Sequence, residues 1–141
     1  MKKAIILFIF MVMVSGTSHV FSQSKPTAIK NAKVEVYYFH PGERCPIDQT
    51  IEETARKMMQ TDFATQIKEG ILKFQVINTD DKSQAKTVAR FEINAQALYV
   101  VTFDKGKEVK KDLTEFAFSN AQSNPGRFKT GLKQEILDAL K

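Results

Sequence analysis

The side chains of this chain that could carry chemistry concentrate in one short stretch. Its single cysteine, Cys45, precedes Pro46 and, three positions on, Asp48, while His40 and Arg44 come shortly before it. A cysteine attacks as the thiolate, which nearby positive charge favours and a nearby carboxylate disfavours. Arg44 and a protonated His40 would assist the thiol if they point inward. Asp48 would oppose it, so the sequence leaves the reactivity of the thiol open.

A lone cysteine limits the reactions that the chain can complete by itself. A dithiol oxidoreductase needs a second thiol to resolve the mixed disulfide that the first one forms. With Cys45 alone, an outside thiol must do this. Structural zinc takes four ligands, and His40 and Cys45 are the only residues of their types beyond the N-terminal segment, so we predict no metal and no cofactor. A Cys–His pair for hydrolysis is an alternative that the spacing alone does not support.

The elements around Cys45 are a strand, a loop and a helix. Residues 34–39 are nearly all apolar, as in a strand that is buried on both faces. A Pro-Gly step predicts a loop over residues 40–44. Proline is favoured in the first turn of a helix, so a helix begins near Cys45 and Pro46. Apolar residues at steps of three and four continue this helix until Gly70 ends it.

The remaining pattern predicts three further strands and two further helices. Alternation gives a strand over residues 72–77, and Ser83 can cap a short helix over residues 84–91. Residues 98–103 form a third strand, and a hairpin leads to a fourth over residues 108–113, with an extension to residue 118. The lysines around this hairpin are typical of a solvated sheet edge. An amphipathic helix from Phe128 to Leu140 closes the chain.

This order predicts an α/β fold, with a central four-stranded mixed β-sheet flanked by helices. The two β-α-β crossovers predict parallel pairing of the strands that they connect and right-handed connections.

In its order of elements the chain resembles the thioredoxin-like superfamily. Members place a Cys-x-x-Cys motif at the start of a long helix after a buried strand, and here Cys45-Pro46-Ile47-Asp48 stands at that place. The Tyr-Tyr-Phe-His stretch before the motif resembles small exported thioredoxin-like proteins of bacteria. The resemblance covers the chain from about Ala32 onward and implies the thioredoxin-like fold and a redox role for Cys45.

Two departures from the family pattern bear on function. The second cysteine position holds Asp48, which makes the motif a degenerate CxxD. The resemblance also implies a cis-proline just before the third strand, facing the active cysteine, but residues 94–98 contain no proline. In the family this proline shapes the peptide-binding groove, so the usual mode of substrate binding is in doubt. Acidic residues also suit the first turn of any helix, so a purely structural Asp48 remains open.

The N-terminus has the pattern of a secretory signal. Lys2 and Lys3 precede an uncharged apolar run, and Val20-Phe21-Ser22 offers a cleavage site. We expect a signal peptide over residues 1–22, a flexible leader over 23–32 and a thioredoxin-like domain over 33–141, located in the periplasm or secreted. The apolar run is shorter than a spanning helix needs, which makes an uncleaved anchor the second choice. The net charge of +5 is too small to indicate a nucleic-acid partner.

Two functions from different classes remain open at this point. The first is thiol–disulfide exchange through Cys45 as a monothiol, by an enzyme that lacks the resolving cysteine, with protein thiols or low-molecular-weight thiols as partners. Arg44, His40, Pro46 and Asp48 would support that site. The second is a non-catalytic binding module that has kept the fold and lost redox activity.

Overall fold

The computed structural model describes residues 32–104 and 106–141. Its centre is one four-stranded mixed sheet in the order β2-β1-β3-β4. The strands are β1 (Val34–His40), β2 (Leu72–Asn78), β3 (Ala97–Asp104) and β4 (Lys107–Asp112). The helices are α1 (Pro46–Thr61), α2 (Ala64–Lys68), α3 (Ala85–Phe91), α4 (Thr114–Asn120) and α5 (Pro125–Leu140), with a short 3-10 turn over Lys82–Gln84. The predicted α/β class with a mixed sheet flanked by helices is confirmed.

The central strand β1 is covered on both faces, as its apolar sequence predicts. Val34, Val36 and Tyr38 point into a larger core that also holds side chains of α1, α4 and α5. Tyr37 and Phe39 point to the opposite face, where a smaller core forms against Phe91 at the end of α3. Because successive side chains of a strand alternate between faces, one apolar run supplies both cores.

The direction of β3 differs from the prediction. Strand β1 pairs with β2 in parallel, as the first crossover predicts, with Val34 opposite Leu72. Strand β3 lies on the other side of β1 and runs antiparallel to it, with Val36 opposite Val100. The prediction that both crossovers join parallel strands is therefore wrong for the second. The segment that contains the seven-residue α3 therefore connects two strands, β2 and β3, that run in opposite directions.

The predicted helix from Cys45 to Gly70 is two helices. Helix α1 ends at Thr61, and α2 begins again at Ala64. The apolar stripe is real as far as Phe63, which is 1 % exposed, but Ile67 on α2 is 37 % exposed. Phe63 follows the stripe in sequence and packs into the larger core from the connection between the helices.

Two smaller predictions are also wrong. The fourth strand does not extend to residue 118, because β4 ends at Asp112 and the helix α4 follows. The side chain of Asp81, not of Ser83, caps the turn before α3, since its carboxylate accepts a hydrogen bond from the Ser83 backbone N–H.

The N-terminal predictions fall on residues 1–31, outside the described residues, so the signal peptide and most of the leader stay predictions. Ala32, the last residue of the predicted leader, is buried in the structure. Within the described residues, none of the helices has the length and apolar character required to span a bilayer.

Candidate functional site

The junction of β1 and α1 positions Cys45. After His40 ends β1, a four-residue loop leads to Cys45, which is the extended N-cap residue of α1, with Pro46 as the first helical residue. Proline fits there because the first N–H groups of a helix have no intrahelical partner. Cys45 is exposed to solvent. The predicted start of the helix at Cys45 and Pro46 is confirmed.

Beside Cys45, the carboxylate of Asp48 is fully buried in a network of donors. Its Oδ2 atom lies 2.9 Å from the Sγ of Cys45 and 3.1 Å from the Cys45 backbone N. Its Oδ1 atom accepts a hydrogen bond of 3.0 Å from the hydroxyl of Tyr38 on β1. The side-chain amide of Gln96 donates to Oδ2 at 3.3 Å. Asp48 therefore links the helix start, the central strand and the segment before β3.

These donors explain the charge state of the buried group. Burial alone would raise the pKa of Asp48, but hydrogen bonds from the Cys45 thiol and backbone, Tyr38 and Gln96 together lower it. The same contact acts on Tyr38, whose pKa is raised first by burial and then by the neighbouring carboxylate. The pair is thus an ionised carboxylate that accepts a hydrogen bond from a neutral phenol.

Neither predicted positive neighbour lies against the thiol. The guanidinium of Arg44 pairs with Glu52 on α1 and contacts the imidazole of His40. His40 is buried, and its Nδ1 lies 2.7 Å from the carbonyl oxygen of Pro41. Among the described residues, no hydrogen bond joins Cys45 to either side chain. Arg44 and His40 therefore stabilise the loop, while the only side-chain hydrogen-bond partner of the thiol within residues 32–104 and 106–141 is Asp48.

Sequence reasoning missed two members of this site. Tyr38 is hidden within the apolar run of β1, although a tyrosine in a buried strand needs a partner for its hydroxyl. Gln96 lies directly before β3, in the segment where the thioredoxin resemblance implies a cis-proline. The described residues contain no cis peptide bond. The segment still faces the site, but it presents an amide side chain to Asp48 rather than a proline ring.

The contact with Asp48 identifies the proton donor. An ionised carboxylate has no proton to donate, so in this hydrogen bond the Cys45 thiol is the donor and the Oδ2 atom of Asp48 is the acceptor. Forming the thiolate requires this hydrogen bond to be given up.

No group of three or more His, Cys, Asp or Glu side chains within residues 32–104 and 106–141 is placed to hold a metal ion. Comparison with known proteins adds no relative, because no family model, curated protein or solved structure matches this chain.

Proposed function

We propose that this chain is an exported thioredoxin-like protein that carries out monothiol thiol–disulfide exchange through Cys45. The observation that carries the proposal is an exposed thiol at the N-cap of α1, the helix that follows the central strand, in a chain with no second cysteine. The strand order β2-β1-β3-β4 is compatible with a thioredoxin-like arrangement.

The proposed reaction has two steps. The Cys45 thiol loses its proton, and its sulfur attacks a disulfide RS–SR, so that Cys45–S–SR forms and RS⁻ leaves and takes up a proton. An external thiol R′SH, also as the thiolate, then attacks the mixed disulfide on the R sulfur, releases R′S–SR and restores Cys45. Because Asp48 stands where a resolving thiol would have to be, the second step is intermolecular. Low-molecular-weight thiols and protein thiols are the expected partners.

One observation favours the second candidate function, a binding module without redox activity. Among the described residues, the one side chain hydrogen-bonded to the thiol is Asp48, which accepts the thiol proton, and Gln96 donates to the same carboxylate. In such a module, Cys45 and Asp48 would simply cap α1.

The two functions are separated by following the purified protein with glutathione disulfide between pH 6 and pH 9. Monothiol exchange predicts a mass increase of one glutathione on Cys45, faster at higher pH, that added glutathione removes. Cys45→Ser is the matched control and takes up no glutathione. A binding module predicts an adduct that forms more slowly on the folded protein than on the same chain in urea at every one of these pH values.

The variant Asp48→Asn tests the role of the carboxylate. The carboxylate next to the sulfur repels the negative charge of the attacking thiolate, and asparagine does not. We therefore expect adduct formation at pH 7 to become about tenfold faster than in the unmodified protein. An unchanged or slower rate would show that Asp48 does not hold back the thiol.

A further inference from the structure

The Cys45 thiol supplies one of the hydrogen bonds that hold the charge of Asp48. Asp48 is 0 % exposed, and its Oδ2 atom accepts from the Cys45 Sγ, the Cys45 backbone N–H and the side-chain amide of Gln96. Its Oδ1 atom accepts from the Tyr38 hydroxyl. None of the ion pairs among the described residues includes Asp48. Neutral donors therefore carry the whole task of keeping this buried carboxylate satisfied.

A mixed disulfide on Cys45 removes one of these donors. In the reaction Cys45–SH + RS–SR → Cys45–S–SR + RSH, the S–S bond of the reagent breaks and a new S–S bond to Sγ forms. The thiol proton leaves on RSH. A sulfur atom in a disulfide carries no proton and cannot donate, so Oδ2 keeps only its two N–H donors.

The position of the sulfur decides whether water can take the place of the lost donor. Sγ remains bonded to the N-cap residue, and as long as it stays beside Oδ2 it occupies the place that a water molecule would need. A carboxylate on the surface would be rehydrated at once, but Asp48 has no exposed surface. A donor lost from a buried group of this kind changes an equilibrium constant by about tenfold.

We infer that Asp48 is a positioning residue that makes the Cys45 mixed disulfide a strong donor of its bound thiol group. The hydrogen bond from the thiol stabilises the reduced protein and is absent from the mixed disulfide. A disulfide whose reduced form is stabilised is a strong oxidant, so the group RS passes readily to an acceptor thiol outside the chain. Asp48 thereby favours release of the mixed disulfide in a chain that has no second cysteine. This inference rests on the proposed monothiol exchange.

The first test compares the folded protein with the same chain in urea. The probe is hydroxyethyl disulfide, which is uncharged and is therefore not repelled by the carboxylate. Intact-mass measurement at pH 7 in mixtures of this disulfide and mercaptoethanol gives the equilibrium constant for the adduct on Cys45. We expect the constant to be at least about tenfold smaller in the folded protein than in urea. Equal constants would overturn the inference.

The stability of the adduct provides a measurement that needs no variant. Folding and adduct formation are linked, so an adduct that is disfavoured in the folded protein must also destabilise the fold. The purified adduct should unfold at a lower urea concentration than the thiol form. Equal urea midpoints for the two forms would contradict the inference.

Two variants of the site should act in opposite directions. Asp48→Asn places a neutral amide beside the sulfur, so the lost thiol donor matters less and the constant should rise about tenfold. Gln96→Met keeps a side chain of similar length but removes a donor to Oδ2. The carboxylate then depends more on the thiol, and the constant should fall at least threefold. Partial unfolding would raise the constant in both variants, and that result would contradict the inference.

The variant Glu43→Gln is the matched control for charge. Glu43 is exposed and lies two residues before Cys45, and its replacement removes the same charge as Asp48→Asn. We expect the adduct constant to change less than twofold. Equal rises in Glu43→Gln and Asp48→Asn would reduce the effect to net charge and overturn the inference.

The inference and the proposed function fail in different ways. If neither the folded protein nor its variants take up the thiol group, the exchange itself fails and the inference fails with it. If the adduct forms and is removed on the folded protein with the constant measured in urea, the exchange stands and the role of Asp48 is wrong.

Discussion

The two faces of β1 hold a carboxylate in contrasting ways. On the α1 face, Asp48 is fully buried and its partners are hydrogen-bond donors from Cys45, Tyr38 and Gln96. On the opposite face, Glu35 keeps 12 % of its side chain exposed and accepts from Tyr37 and pairs with Lys73.

On the face of β1 opposite α1, the contacts extend from Tyr37 to side chains that are partly exposed to solvent. Arg90 on α3 donates to the Tyr37 hydroxyl at 3.0 Å, stacks over the Tyr37 and Phe91 rings, and pairs with Glu108 at 3.8 Å. The side chain of Arg90 is itself 41 % exposed. The difference shows that a fully buried carboxylate depends on fixed protein donors, whereas one that keeps part of its surface in water can exchange protein partners for water. The first arrangement is sensitive to single substitutions and the second is tolerant.

The largest expected effect follows from removing the Asp48 carboxylate. Asp48→Ala removes the carboxylate that accepts from Tyr38, Gln96 and the Cys45 backbone and uncaps the start of α1, although the Tyr38 hydroxyl keeps the backbone carbonyl of residue 48 as an acceptor at 3.2 Å. Each unsatisfied buried polar group costs about 1–3 kcal/mol, so we expect the free energy of unfolding to fall by about 3 kcal/mol. Urea denaturation measures this, with Glu35→Ala as the comparison on the other face. An equal fall in the free energy of unfolding for Glu35→Ala would show that the two faces do not differ in this way.

Low pH should reduce the stability that the buried Asp48 carboxylate gives to the fold. The pKa of Asp48 is lower in the folded protein than the ordinary value near 3.8, since its hydrogen bonds outweigh burial. Such a group stabilises the fold above its unfolded pKa, and this stability is lost as pH falls through the folded pKa. We expect the urea midpoint to fall more steeply below pH 4 in the unmodified protein than in Asp48→Asn. Parallel curves would remove Asp48 as a source of acid sensitivity.

Removing one hydroxyl at a time compares the two faces at adjacent positions of β1. Tyr38→Phe deletes a buried donor to Asp48 and should lower the free energy of unfolding by about 1–2 kcal/mol. It should also raise the pKa of Asp48, which NMR titration of the carboxyl carbon reports. Tyr37→Phe should lower the free energy of unfolding by less than 1 kcal/mol, because water can replace the lost contacts. If Tyr37→Phe lowered the free energy of unfolding more than Tyr38→Phe does, the Tyr37 face would be the one that depends on fixed contacts.

The effect of Arg90→Ala on the free energy of unfolding should be small and should depend on salt. Exposed ion pairs contribute about 0–1 kcal/mol and exposed cation–π contacts about 0.5–1 kcal/mol. We expect a loss near 1 kcal/mol in low salt that shrinks in 0.5 M salt, as screening predicts. A salt-independent loss above 2 kcal/mol would show that Arg90 is a buried structural element rather than a partly hydrated one.

Short sequence patterns correctly predicted the elements that neighbouring residues determine, such as β1 and the start of α1. The apolar run of β1 and the proline after Cys45 placed a buried strand and a helix start where the structure has them. The break after α1 was missed because Phe63 continues the apolar period while its backbone has already left the helix. Helix α4 was missed because the apolar residues Phe116, Ala117 and Phe118 also suit an extension of the fourth strand.

Long-range features were harder to predict. The direction of β3 depends on which side of β1 the strand occupies, and no local pattern encodes this. The burial of Asp48 depends on Tyr38 and Gln96, which are far from it in sequence. An acidic residue in the first turn of a helix is usually solvated, so the sequence alone favours an exposed side chain at this position.

The two ends of the described chain lie together. The amine of Lys33 donates to the carbonyl oxygen of Leu140 at the end of α5, and the Lys33 backbone N–H bonds to Ile71. Cys45 follows the other end of β1, and a seven-residue strand spans about 20 Å. A tag or a fused domain joined directly before Ala32 or after Lys141 is therefore attached at the end of the sheet opposite Cys45.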